Sequence, residues 1–293
     1  MSLKRSLLAI CLASSIAAGT SNVAFSADFG PAPEPVLPAS QWRLSFTPYA
    51  WLTYLNGSMT VRGRSVDLDV APWTVLGHLE KVPFFGYGEA RNGPLALYSD
   101  VVYADLGLNA SGIRSRSVQP GITGTLSAAL GVGFEEAIVE VGGAYQVWKC
   151  DPHTAVDILA GARYWHQEMS VNFALAASLD AGDLNISRGF ALDRSGSVDW
   201  VDPVVGGRIR YNLAPGQDLM LRADVGGFGA GSQFSWNALA AYSFVLTQRD
   251  GVTYSGLLGY RALDADFEQG SGRTKYVYDL VMHGPVMGLT VGF

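Results

Sequence analysis

Met287-Gly-Leu-Thr-Val-Gly-Phe293, the last seven residues, decide how the rest of the chain is read. Met287, Leu289, Val291 and Phe293 alternate with Gly288, Thr290 and Gly292. A period of two is the mark of a β-strand, here with one apolar face and one small or polar face. The stretch stops on a bare phenylalanine, whereas the termini of soluble chains are usually polar and frayed. A strand that closes a membrane barrel has a use for that ending. Its apolar face meets lipid, and its edge pairs with the first strand.

Composition agrees. The 293 residues include 35 Gly, 13 Tyr, 13 Phe and 7 Trp, and only 16% are charged. The mean hydropathy is slightly positive. These values fall between those of a soluble domain and of a helical membrane protein. Past the first 30 residues there is no run of 18 apolar residues, so no transmembrane helix is expected.

The N-terminus reads as a processing segment. Lys4 and Arg5 precede an apolar run from Leu7 to Ala18, and small residues follow up to Ser26 and Ala27. Residues 1–26 are expected to be a signal peptide, because the apolar run is too short for an anchor helix. Removing Lys4 and Arg5 leaves 18 basic against 26 acidic residues, a net charge of −8. That balance argues against nucleic acid as a partner. Cys11 leaves with the signal, so Cys150 has no partner for an intramolecular disulfide. Residues 27–40 are rich in proline and read as a linker ahead of the barrel, 41–293.

From Gln41 onward the chain reads as an antiparallel meander. Val205, Ile209, Tyr211 and Leu213 share a face, with Arg208, Arg210 and Asn212 opposite. Several segments run about 12–15 residues, long enough to cross a bilayer when tilted. The spacing gives twelve strands: 41–53, 57–69, 82–91, 94–107, 116–131, 135–148, 154–170, 198–212, 217–228, 232–247, 252–264 and 275–293. Ten or fourteen also fit. Residues 213–217 and 247–251 are expected to be tight periplasmic turns, and 171–197 and 265–274 extracellular loops. Pro72 opens WTVLGHLEK, where Trp73, Leu76 and Leu79 have helical spacing; a short helix near 72–80 would be a plug or cap, and the alternative is an irregular turn. Tyr276, Tyr278, Leu280 and Met282 fall on the face opposite Met287, so a bulge at Gly284-Pro285 is expected. The fold class is all-β, a closed antiparallel transmembrane barrel.

The last strand resembles that of Gram-negative outer-membrane β-barrels, whose terminal strand carries alternate apolar residues and a final Phe read by the assembly machinery. The resemblance implies that Met287, Leu289, Val291 and Phe293 form the assembly signal, with the barrel-assembly machinery and outer-membrane lipids as partners. TPYAW (47–51), DPVVGGRIRYNL (202–213) and GGFGAGSQFSW (226–236) look like phrases of a widespread alphaproteobacterial group of porin-like outer-membrane barrels. That resemblance covers most of the mature chain. It implies the outer membrane as location and transfers no functional residues.

No site for chemistry stands out. Outer-membrane lipid hydrolases typically use a His and a Ser two apart on one strand face, and none of His78, His153, His166 and His283 is so placed. His166 and Glu168 share a face, but a pair is not a metal site. No phosphate loop, CxxC pair or dinucleotide fingerprint is present. The expectation is therefore no enzyme, no metal and no cofactor. What remains is the inward face. With the apolar side set to lipid, Arg43, Glu89, Arg91, Asp100, Glu140, Arg163, Arg208, Arg210, Arg222, Asp224 and Arg261 line the lumen, because an arginine facing mid-bilayer lipid costs about 2–4 kcal/mol. Such a set is read first as the lining of a porin-like path for passive passage of ions and small polar solutes; the alternative is a group of ion pairs that fills a narrow barrel, which then acts through its extracellular loops. A lipid-modifying enzyme is the third reading.

Overall fold

The computed structural model describes residues 42–61, 64–119, 122–148, 153–181 and 184–293. The signal-peptide and linker assignments lie outside them. The elements are β1 (Arg43–Trp51), β2 (Tyr54–Val61), β3 (Arg64–Val70), α1 (Pro72–Gly77), β4 (Phe84–Asn92), β5 (Leu95–Gln119) and β6 (Ile122–Trp148). They continue with β7 (Thr154–Ala181), β8 (Leu184–Ala214), β9 (Gln217–Gly226), β10 (Phe234–Arg249), β11 (Val252–Gln269), a 3₁₀ turn (Gly272–Thr274) and β12 (Tyr276–Gly292). All pairings are antiparallel. The order β1-β4-β5-β6-β7-β8-β9-β10-β11-β12 is closed by β12 pairing with β1, so ten strands form a ring. β2 and β3 stand outside it.

The twelve-strand expectation thus divides into ten and two. β2 continues the line of β1: the same register carries β12 from Gly292 opposite Ser45 to Tyr276 opposite Val61. β3 folds back on β2. Residues 122–131 and 135–148 belong to one strand, β6, and residues 116–119 to the end of β5, which pairs with β6 nearly to its tip. Residues 171–197 are not a loop but the ends of β7 and β8, whose ladder runs from Thr154 opposite Tyr211 to Ala181 opposite Leu184. β5 to β8 therefore project beyond their neighbours as a four-stranded sheet. The tight turns at Asn92–Leu95, Ala214–Gln217 and Arg249–Val252 lie at the end that holds Arg43 and Phe293, here called the lower end. Asp250 (φ 52°) and Gly251 (φ 80°) give one of them the paired left-handed conformation that matches strand twist.

The bulge expected at Gly284-Pro285 is absent. β11 and β12 pair without a shift from Thr253–Gly292 to Gln269–Tyr276. Pro285 is tolerated because it faces Leu52, where β1 breaks before β2 begins. Its carbonyl accepts from the Leu52 N–H at 3.0 Å, and the one bond that proline cannot give coincides with that break.

Unbroken register sends Tyr276, Tyr278, Leu280 and Met282 inward. There they pack with Trp51, Met59, Ile138, Trp165, Trp200, Leu263 and Phe267 as a buried apolar cluster. The same strands change character on their outer face. Going up, Leu258 and Tyr260 give way to Asp264, Asp266 and Glu268; Val201 to Asp199; and Tyr164 to His166 and Glu168. Below this border the outside is apolar and the inside charged; above it the two are exchanged. From Val201 to Leu213 the outward residues of β8 are exposed Val, Ile, Tyr and Leu with Pro203 and Gly207. Twelve steps at about 3.3 Å, tilted by about 45°, span roughly 28 Å, the height of a lipid-facing band. The ring is thus a transmembrane barrel whose upper part stands out of the bilayer with an apolar core.

α1 sits where β3 has ended and β4 has not begun. Pro72 starts it, and His78 and Glu80 exchange backbone bonds with Gly107 and Asp105. Lys81 bonds Asp105 at 2.7 Å, which holds its ammonium pKa above the usual lysine range. Val75, Leu76 and Leu79 line a small cavity with Phe85, Phe134 and Met282. The helix is a patch in the wall.

At the seam the Phe293 N–H donates to the Leu44 carbonyl at 2.8 Å, and its own carbonyl accepts from the Leu44 N–H at 3.3 Å. The ring points outward and is exposed. Deleting Phe293 is expected to lower the yield of heat-modifiable, folded barrel several-fold by removing two of the bonds that close the ring. An unchanged yield in a gel-shift assay would show that β1 and β12 close without it.

Candidate functional site

The inward face of the ring carries charge in two tiers. Because strand neighbours lie about 5 Å apart, inward residues of successive strands meet across the lumen. In the lower tier, Asp157 of β7 receives three arginines. Arg91 of β4 donates through Nη2 at 3.0 Å, Arg208 of β8 through Nε at 2.9 Å, and Arg210 through Nη2 at 3.2 Å. Glu89 bonds Arg91 at 3.0 Å and also pairs with Arg208. In the upper tier, Arg163 bridges Glu140 at 2.7 Å and Asp224 at 2.6 Å. Arg222 joins the same two carboxylates and lies over the Tyr98 ring. Asn237 bonds Asp224 at 2.8 Å and accepts from Arg261 at 3.0 Å. Arg261 reaches Asp100 at 2.7 Å, and Tyr49 donates to the other oxygen of Asp100 at 2.8 Å.

These groups are out of water. Arg163 and Asp157 are both 0% exposed. A buried charge is tolerated when it is paired, and these are, although one buried guanidinium nitrogen each of Arg91, Arg163 and Arg210 has no hydrogen-bond partner among the described residues. A cavity of about 60 Å³ lies beside Tyr49, Tyr87, Arg222, Arg261, Leu257 and Val286, room for a few waters and no more.

Above the charges, Trp200 stacks on Phe267 at 4.2 Å and on Trp165 at 5.4 Å, with Tyr278 at 6.0 Å. Several polar edges of this cluster are tied, whereas the buried indole N–H groups of Trp200 and Trp51 have no hydrogen-bond partner among the described residues. Tyr278 and Gln167 donate to Glu136 at 2.9 and 3.0 Å, and the Trp165 indole donates to Asp202 at 3.1 Å. The loop after β9 tucks Ser232 inward, where it donates to Asp202 from its N–H at 2.7 Å and its hydroxyl at 2.8 Å.

The structure brings Glu89, Arg91, Asp100, Glu140, Arg163, Arg208, Arg210, Arg222, Asp224 and Arg261 into this network. Arg43 stands apart at the lower rim, exposed and opposite Arg91 in the β1–β4 ladder. Met287 and Leu289 are exposed on the outer face. Sequence reasoning missed Asp157, Glu136, Asp202 and Asn237. Parity could have found three of them: Asp157 is in phase with Arg163, Glu136 with Glu140, and Asp202 with Arg208. With Asp157 counted, Glu89, Asp100, Glu140, Asp157 and Asp224 oppose the six networked arginines, an excess of one positive charge. Among the described residues, no three His, Cys, Asp or Glu gather as a metal-binding group. Outside the ring, His166 bonds Asp199 at 2.7 Å and His283 bonds Tyr260 at 2.6 Å, both at the upper border of the lipid band.

No family model matches the chain, and no curated protein matches it. Among solved structures it is similar to Ail, the attachment invasion locus protein of Yersinia pestis, in complex with the heparin analogue sucrose octasulfate. There the identity is 10%, the match covers 86% of this chain and 98% of that one, and the TM-score is 0.29. It is also similar to Acinetobacter baumannii OccAB2 (9% identity, 87% and 98% covered, TM-score 0.25) and to a Pseudomonas aeruginosa FadL homologue (8%, 86% and 89%, 0.25). These similar structures are Gram-negative outer-membrane β-barrels. The likenesses are loose, and the fold rests on the ring itself.

Proposed function

We propose that the protein is an outer-membrane barrel of a Gram-negative bacterium whose lumen is shut, and that it works through the sheet of β5 to β8 that rises above the lipid. One observation carries this reading: the lumen is filled at successive heights, first by buried ion pairs and then by stacked aromatic rings. A ten-stranded ring lies close to the eight-stranded size that side chains fill, and far from the sixteen strands of an aqueous channel. The signal-like N-terminus and the terminal phenylalanine support the location, with lipid and the assembly machinery as partners. Membrane fractionation after signal cleavage tests the location.

A porin-like reading, passive passage of ions or small polar solutes, is supported by the charged column and the water-sized cavity within it. The two readings differ in planar bilayers. The closed barrel gives no discrete conductance steps in molar salt. A porin gives steps whose reversal potential across a salt gradient shows a weak anion preference, reduced in the Arg208→Ala, Arg210→Ala double variant. Steps of that kind would replace the first reading with the second.

A further inference from the structure

The lower tier carries more positive charge than it pairs. Arg91, Arg208 and Arg210 converge on Asp157 and Glu89, three cations on two carboxylates. The upper tier is balanced, with Arg163, Arg222 and Arg261 against Glu140, Asp224 and Asp100. The excess of the pair network thus sits in the lower tier. Arg43 adds a further cation at the same rim, directly opposite Arg91, an arrangement that repels. Asp218, bonded to Asn212 at 3.0 Å on the rim of β9, is the acid that offsets part of this.

Two donors in the tier point to a ligand. Arg91 is 7% exposed, and its Nη1 has no hydrogen-bond partner among the described residues. The buried Nε of Arg210 has none either. Both side chains bond the same carboxylate, Arg91 to one oxygen of Asp157 and Arg210 to the other, so the two donors belong to one small region. Gln146 accepts from Arg210 at 3.3 Å. The Arg210 side chain is also 33% exposed, the most open of the three, which gives a route from the lower mouth. Buried guanidinium N–H groups left unpaired are costly, and a charge-assisted acceptor is what they favour.

We infer that the lower mouth of the barrel is a binding site for one small anion, such as phosphate, chloride or a carboxylate, held by Arg91 and Arg210 with Arg43 at its entrance. The site faces the lumen and not lipid, so a free anion rather than a lipid headgroup is its occupant. It does not depend on whether the barrel conducts.

Titration calorimetry of the refolded barrel in a zwitterionic detergent, with inorganic phosphate as probe, tests the assignment at constant ionic strength. Saturable binding near one phosphate per barrel is expected. Arg210→Gln should weaken it about tenfold or more, the loss of one charge-assisted contact. Arg43→Gln should weaken it a few-fold. Arg249→Gln, at an exposed turn where Arg249 pairs with Asp250, should leave it unchanged. Heat-modifiability confirms that each variant is folded, and Arg43→Gln decides alone if Arg210→Gln does not fold. Phosphate heats that do not saturate, or equal affinity in parent and folded variants, would overturn the assignment.

Discussion

Arg163→Met is expected to destabilise the folded barrel by about 3–5 kcal/mol, because it leaves Glu140 and Asp224 charged and buried with one cation, Arg222, where there were two. Urea unfolding of the refolded protein, followed by gel shift or tryptophan fluorescence, reads this directly. Most of the loss belongs to the orphaned carboxylates and not to the pair itself. Arg163→Met combined with Asp224→Asn, which leaves Arg222 and Glu140 paired one to one, should therefore recover a large part of it, to within about 2 kcal/mol of the parent. A loss under about 1 kcal/mol in the single variant would mean that water reaches these carboxylates and the lumen is open.

Trp200→Ala is expected to cost about 3–5 kcal/mol, since the indole fills the space between Phe267 and Trp165 and the strands around it cannot collapse into the gap. The functional outcome differs from the energetic one. The ion-pair tiers below still block the lumen, so the variant should remain silent in planar bilayers. Conductance steps that appear only in Trp200→Ala would identify the aromatic layer as the gate and the charged tiers as permeable.

The barrel was legible from its sequence because lipid imposes the simplest of patterns. Val205, Ile209, Tyr211 and Leu213 could face only the bilayer, and that fixed Arg208 and Arg210 inward. Legibility ended where the solvent changed. Tyr278, Leu280 and Met282 keep the parity of Gly288 and Thr290, yet they are apolar, because outside them there is water and inside them a core. Read with one rule for the whole strand, they demanded a bulge that the backbone does not contain. The same change of solvent hid the upper halves of β7 and β8, where the lipid-facing pattern no longer applies. The acid Asp157 was hidden differently. Nothing about an aspartate in TAVDILAG advertises three arginine partners, since those partners come from β4 and β8 and meet it only when the ring closes.

The exchange of polarity between the two faces gives each long strand its own waterline. Tyr164 and Tyr260 lie just under it, and His166, Asp199 and Asp264 just over it. A barrel marked this way has one depth at which it floats. Sliding it down drags carboxylates into oil, and lifting it strands tyrosines and valines in water. Bilayers thicker than the band would have to pinch around it, so the protein is suited to a thin membrane and should deform any other locally.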